Sequence, residues 1–114
     1  MMNMEWGIIY YSEAVQNDIA SMPSGIQARY LRLTDRMCIY GANLGMPHTR
    51  AMKDGLFELR VKSKEGIGRV LYCTLVNKRI VMLHSFIKKT QSIPSKELKV
   101  AISRMNEVKL NANT

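Results

Sequence analysis

The residues best equipped for chemistry in this chain are its cations. Arg50, Lys53, Arg60, Lys62, Lys64, Arg69, Lys88 and Lys89 follow one another at short intervals through the middle of the sequence. Such a set could converge on one side of a sheet and favours a polyanionic partner such as nucleic acid. The competing reading is a solvated face of ordinary kind. Other catalytic patterns are missing: there is no GxSxG, HExxH, Walker loop or Rossmann glycine fingerprint, and no close carboxylate pair. Cys38 and Cys73 lie far apart without a CxxC or Cys/His cluster, so no zinc site is expected and both read as reduced core thiols. His84 lies in an apolar run, on the expected face of Met82 and Phe86. It reads as a buried, hydrogen-bonded core residue or as an acid or base at a pocket floor. His48, in a Pro-containing loop, is the weaker imidazole.

The charge is unevenly distributed. The chain of 114 residues carries 17 Lys and Arg against 9 Asp and Glu, a net +8. Up to residue 49, Arg29, Arg32 and Arg36 stand against Glu5, Glu13, Asp18 and Asp35, which leaves that part near neutral. The whole excess belongs to residues 50 to 114, so any anion-binding site is expected there, and a polyanionic partner is favoured over an acidic small molecule. The length suits one domain, and 46% hydrophobic residues suffice for one core. The N-terminus lacks the basic flank and apolar stretch of a signal peptide, and no stretch is apolar enough to span a bilayer. A soluble, cytoplasmic protein is expected.

The elements that must position the cations follow from periodicity. Trp6 to Tyr11 is aromatic and β-branched and predicts a first strand. Ser12 offers an N-cap for a short helix carrying Val15, Ile19 and Met22, which Pro23 closes. Ser24 and Gln27 have the spacing of a capping box, and Ile26, Tyr30, Leu33, Met37, Tyr40 and Leu44 form the stripe of a second helix ended by Gly41 and Gly45. The two helices are expected to pack as an antiparallel hairpin. Residues 46 to 55 have the composition of a loop. From Phe57 to Lys64 the pattern alternates, with Phe57, Leu59 and Val61 on one face and Glu58, Arg60, Lys62 and Lys64 on the other. Arg69 to Val76 and Ile80 to Ile87 read as inner strands of a hairpin. After Pro94, Ser95 is the expected N-cap of a closing helix that carries Leu98, Ala101, Ile102 and Met105 to about Leu110.

Read together, LFELR at 56 to 60, GRVLY at 68 to 72, LHSFIKKTQSIP at 83 to 94 and the Lys-rich closing helix resemble the RelE/HigB-like toxins of bacterial toxin-antitoxin systems, and within them the phage-derived branch. The resemblance covers essentially the whole chain. It implies an α+β fold, with two N-terminal helices packed on a twisted antiparallel sheet and a C-terminal helix. It also implies an endoribonuclease that cuts messenger RNA in the ribosome, using the adjacent 2′-hydroxyl as nucleophile and neither metal nor cofactor, and that is held inactive by a cognate antitoxin, expected to be of helix-turn-helix type.

On that resemblance, Arg60 matches a basic catalytic position, Arg69 the arginine that holds the phosphate, and Lys88 and Lys89 the basic pair after the last strand. Arg50 and Lys53, with Lys62 and Lys64, are assigned to the RNA backbone, and His84 completes the candidate set. Glu58 departs from the pattern, standing where the archetypal enzyme carries a lysine. It reads as a cross-strand salt bridge or as a general base. Tyr72 reads as core rather than as a base-stacking surface. The alternative functions are a relative of the same fold that poisons a protein such as DNA gyrase, and a degenerate RNA-binding module.

Overall fold

The alternating and apolar runs become strands of one sheet, and the stretches with helical periodicity become the layers that cover it. The computed structural model describes residues 5–87 and 92–112. Its elements are β1 (Gly7–Tyr10), α1 (Glu13–Ala20), α2 (Ser24–Tyr40), β2 (Thr49–Ala51), β3 (Phe57–Ser63), β4 (Gly66–Leu75), β5 (Arg79–Ile87) and α3 (Ser95–Ala112). The strands lie in the order β1-β5-β4-β3-β2.

The α+β class is as expected, but the sheet is mixed. Strands β2 to β5 pair antiparallel in turn, whereas β1 runs parallel to β5, with Gly7 opposite Arg79 and Tyr10 opposite Met82. After β1 the chain crosses one face of the sheet through α1 and α2 and rejoins it at the far edge. The direction of β1 relative to its neighbour is therefore settled only by β5, late in the chain. Residues 46 to 55, expected as a loop, contain β2, whose Arg50 pairs with Glu58. Three residues are too few for alternation to announce a strand.

Helix ends show a second departure. Ser12 caps α1 as expected, its Oγ accepting from the Val15 N–H at 3.2 Å. The capping box of α2 does not form: Pro23 is the N-cap, and the Gly25 N–H donates 2.6 Å to Glu65 Oε1 in the turn between β3 and β4. Gln27 instead donates its side-chain N–H to the carbonyls of Ala20 and Met22, tying α2 to the end of α1. Ile26, Tyr30, Leu33 and Met37 are buried, but Tyr40, on the same expected stripe, is exposed, and Leu44 lies beyond the helix. The two helices are seated on the sheet more than on each other, α1 over β5 and α2 chiefly over β3. Gly68 permits the close approach of α2, since a Cβ there would lie 2.8 Å from Ile26 Cγ2.

Two apolar layers result. Val15, Ile26, Leu33, Leu59, Val70, Tyr72 and Met82 pack beneath α1 and α2; Leu71, Cys73, Val81, Leu83, Ala101 and Met105 pack beneath α3. Among the described residues helix α3 packs chiefly on β5 and β4, and β2 and β3 lie beyond its main contacts. Cys38 and Cys73 are free thiols. Among the described residues no helix is long and apolar enough to cross a membrane.

Candidate phosphate-binding face

Strand alternation puts Glu58, Arg60 and Lys62 on the face turned away from α2, and the antiparallel register brings Arg50 opposite Glu58 and Arg69 opposite Arg60. The four side chains Arg50, Glu58, Arg60 and Arg69 line one small cavity with Met46, of about 30 Å³. Glu58 is its centre. One carboxylate oxygen is 3.0 Å from Arg50 Nη2, and the other accepts from Arg69 Nη1 at 2.5 Å. Of the two roles expected for Glu58, the cross-strand ion pair is the one formed.

This arrangement corrects the expected setting of Arg69. Expected at the start of its strand, Arg69 lies inside β4, only 1% exposed, against a carboxylate that is itself fully buried. Its guanidinium is committed to the fold as well as to the cavity wall. Removing one member of such a buried pair leaves the other uncompensated, typically at about 3–5 kcal/mol.

Arg60 is differently placed. It is half-buried, and its Nε is a buried donor with no hydrogen-bond partner among the described residues. It also lines a second and larger cavity of about 220 Å³ with Lys62, Arg29, Pro47 and His48. The segment that carries Pro47 and His48 is held locally. Asn43 Oδ1 accepts from the Thr49 hydroxyl at 2.8 Å, the His48 and Thr49 N–H groups both donate to Gly45 O, and the Arg60 N–H donates to His48 O at 2.8 Å. Its root is fixed by Tyr72, whose hydroxyl donates to Ala42 O at 2.5 Å and whose burial pushes the phenol well above its ordinary range. Tyr72 is thus a core residue, stacked on Phe57. Desolvation, together with Arg36 and Arg29, lowers the pKa of His48 below its ordinary value, which favours the neutral imidazole.

Arg29 is not expected here, because the first 49 residues are nearly neutral and the cationic excess lies after them. It comes from α2 across the sheet edge beside β2. The available signal was the spacing of Arg29, Arg32 and Arg36, three and four residues apart, which is that of one helix face.

His84 is also relocated. The register between β4 and β5 slips at Leu71 and Tyr72, which pair with His84 and Met82 and leave Leu83 unmatched. This bulge moves His84 off the face of Met82 and onto that of Leu71, beside α3. Its Nε2 is 2.6 Å from Glu97 Oε1, and Arg104 Nη1 stands 3.5 Å from Nδ1 while donating to Leu83 O at 2.8 Å. The imidazole is half-buried in a polar seam that fastens α3 to β5, neither in the apolar core nor open. Arg104 also lies over the ring of Tyr11, at 4.9 Å.

Lys53, Lys62 and Lys64 are exposed. Lys62 joins the larger cavity, whereas Lys53 and Lys64 line neither of the two. Lys88 and Lys89 lie outside the described residues. No group of three His, Cys, Asp or Glu side chains that could hold a metal is gathered among the described residues.

No curated protein matches the sequence. Residues 17–106 match the family model described as phage derived protein Gp49-like (DUF891), a span from within α1 to within α3 that includes every element lining the two cavities. The chain belongs to this family of phage-derived Gp49-like proteins.

Proposed function

We propose that the protein is the toxin of a toxin-antitoxin pair, a RelE/HigB-like endoribonuclease that cleaves messenger RNA on the ribosome without a metal or other cofactor. The observation that carries the reading is Arg60, whose Nε is a buried donor without a hydrogen-bond partner among the described residues and which is shared by two cation-lined cavities. Membership of the Gp49-like family supports the same reading.

In the proposed reaction the 2′-oxygen attacks the adjacent phosphorus, a 2′,3′-cyclic phosphate forms, and the bond to the 5′-oxygen breaks. The 2′-hydroxyl proton is lost and the 5′-oxygen gains one. Arg60 donates hydrogen bonds to the non-bridging oxygens as their charge rises. Arg69 and Arg50, bound to Glu58, keep the cavity wall rigid and cationic. Lys88 and Lys89 retain their assignment to the phosphate, and Lys53, Lys62 and Lys64 to the RNA backbone, where each neutralised phosphate adds salt-dependent affinity. His84, engaged by Glu97, acts by holding α3. A cognate antitoxin of helix-turn-helix type, with an acidic segment complementary to the cationic half, would restrain the enzyme in the cytoplasm.

The test is induced expression without the antitoxin, followed by primer extension on cellular messages. Cuts within translated messages are expected. Growth arrest with intact messages and gyrase-dependent DNA breaks would overturn the proposal in favour of a protein-poisoning relative.

A further inference from the structure

We infer that the cavity between α2, the turn before β2, and β3 is a second phosphate site, in which Arg29, Arg60, Lys62 and His48 bind a phosphate of the RNA strand next to the one being cleaved. The inference rests on the nuclease reading and extends it to Arg29 and His48, which the resemblance did not assign.

Charge is the first support. The smaller cavity contains a carboxylate ion-paired with two of its three arginines, whereas the larger one is lined by three cations and no carboxylate. Like charges held around one space repel one another, and an anion placed among them relieves that repulsion. Size is the second. A water needs roughly 10–15 Å³ of such space, so the smaller cavity, at about 30 Å³, admits a water or two or the oxygens of a phosphate rather than the whole group. The larger cavity, at about 220 Å³, accepts a phosphate with its ester oxygens. Hydrogen bonding is the third, since Arg60 brings a buried donor without a partner among the described residues.

His48 supplies a consequence that can be measured. The groups set around it are cations, Arg29 and Arg36 from α2 and Arg60 and Lys62 from β3. Desolvation, then Arg36 and Arg29, disfavour its protonation. A bound phosphate reverses the local field, so anion binding draws a proton onto the imidazole and strengthens as pH falls towards the histidine range.

The 114-residue chain is titrated with inorganic phosphate while the ring signals of its two histidines are followed by NMR. The His48 signals should shift saturably and its pKa should rise, with His84 as the internal reference. Arg29→Gln should weaken phosphate binding about three- to tenfold. Arg32→Gln, the same change one turn along α2, should leave it near that of the native chain. A short single-stranded RNA added at saturating phosphate should displace the phosphate, and its salt dependence should fall by about one unit of slope in Arg29→Gln.

Equal responses of the two histidines, or an Arg29→Gln protein that titrates like the native one, would overturn the site. Phosphate binding that RNA cannot displace would overturn its assignment to the RNA strand. Message cleavage with no response at His48 would sink this inference alone; a response at His48 without cleavage would sink the nuclease reading instead.

Discussion

The two cavities that share Arg60 use the same kind of residue to opposite ends. In the smaller one Arg69 and Arg50 close on the buried carboxylate of Glu58, and two of the three guanidiniums are engaged within the fold. In the larger one Arg29, Arg60 and Lys62 face a common space without a carboxylate, and charge remains for a ligand. A count of cations along the chain does not distinguish the cases. What separates them is whether the sheet register delivers an acid to the same place.

The comparison is broken most forcefully at Glu58. Glu58→Gln should destabilise the fold by about 3–5 kcal/mol in urea unfolding, because the Arg69 guanidinium then stays buried without its counter-charge. Arg69→Ala should destabilise the protein to a similar degree, since the buried Glu58 carboxylate then keeps only the half-exposed Arg50. The double change Glu58→Leu with Arg69→Met should recover much of the loss. Single variants as stable as the native chain would show that the pair is not integral to the core.

Arg60→Ala should do the reverse. Stability should change by no more than about 1 kcal/mol, since no carboxylate depends on Arg60, while message cleavage should fall about 10²- to 10³-fold. Unchanged cleavage in a soluble Arg60→Ala protein would remove the bridging role of this residue.

A smaller effect is expected at the seam under α3. His84→Gln loses the imidazole bond to Glu97 and should lower stability by about 1 kcal/mol, with the cleavage rate of the folded fraction nearly unchanged. A stable variant with cleavage reduced about a hundredfold, roughly 2.7 kcal/mol of barrier, would assign His84 to proton transfer.

The smallest effect distinguishes the larger cavity by pH. The folded pKa of His48 is lowered from 6.5, so as pH falls below 6.5 the unfolded chain takes up its proton before the folded one does, and stability is lost over that window. In thermal melts without phosphate, the native chain should therefore lose ground to His48→Gln between neutral and mildly acid pH. Parallel curves for the two proteins would show that His48 is not set among uncompensated cations.

Much of this was legible locally. The alternation from Phe57 to Lys64 was enough to separate Leu59 and Val61 from Glu58, Arg60 and Lys62, and the buried stripe of α2 through Met37 follows its spacing. His84 was misplaced because a bulge adds one residue without leaving a period in the sequence, and everything beyond it changes face. The capping box failed for a related reason: Glu65, distant in sequence, reaches the Gly25 N–H that a local rule gives to Ser24 and Gln27.

By itself, the sequence determined the α+β class, nearly every strand and helix, and the cationic character of the middle of the chain. Those properties depend on residues within a few positions of one another, and side-chain periodicity records them. Only the tertiary structure decided that Arg69 is neutralised and buried, that β1 runs parallel to β5, that His84 turns to α3, and that Arg29 and His48 join Arg60. Each of these depends on which strand or helix arrives beside another, and electrostatic free energy depends on that distance and on burial rather than on order in the chain.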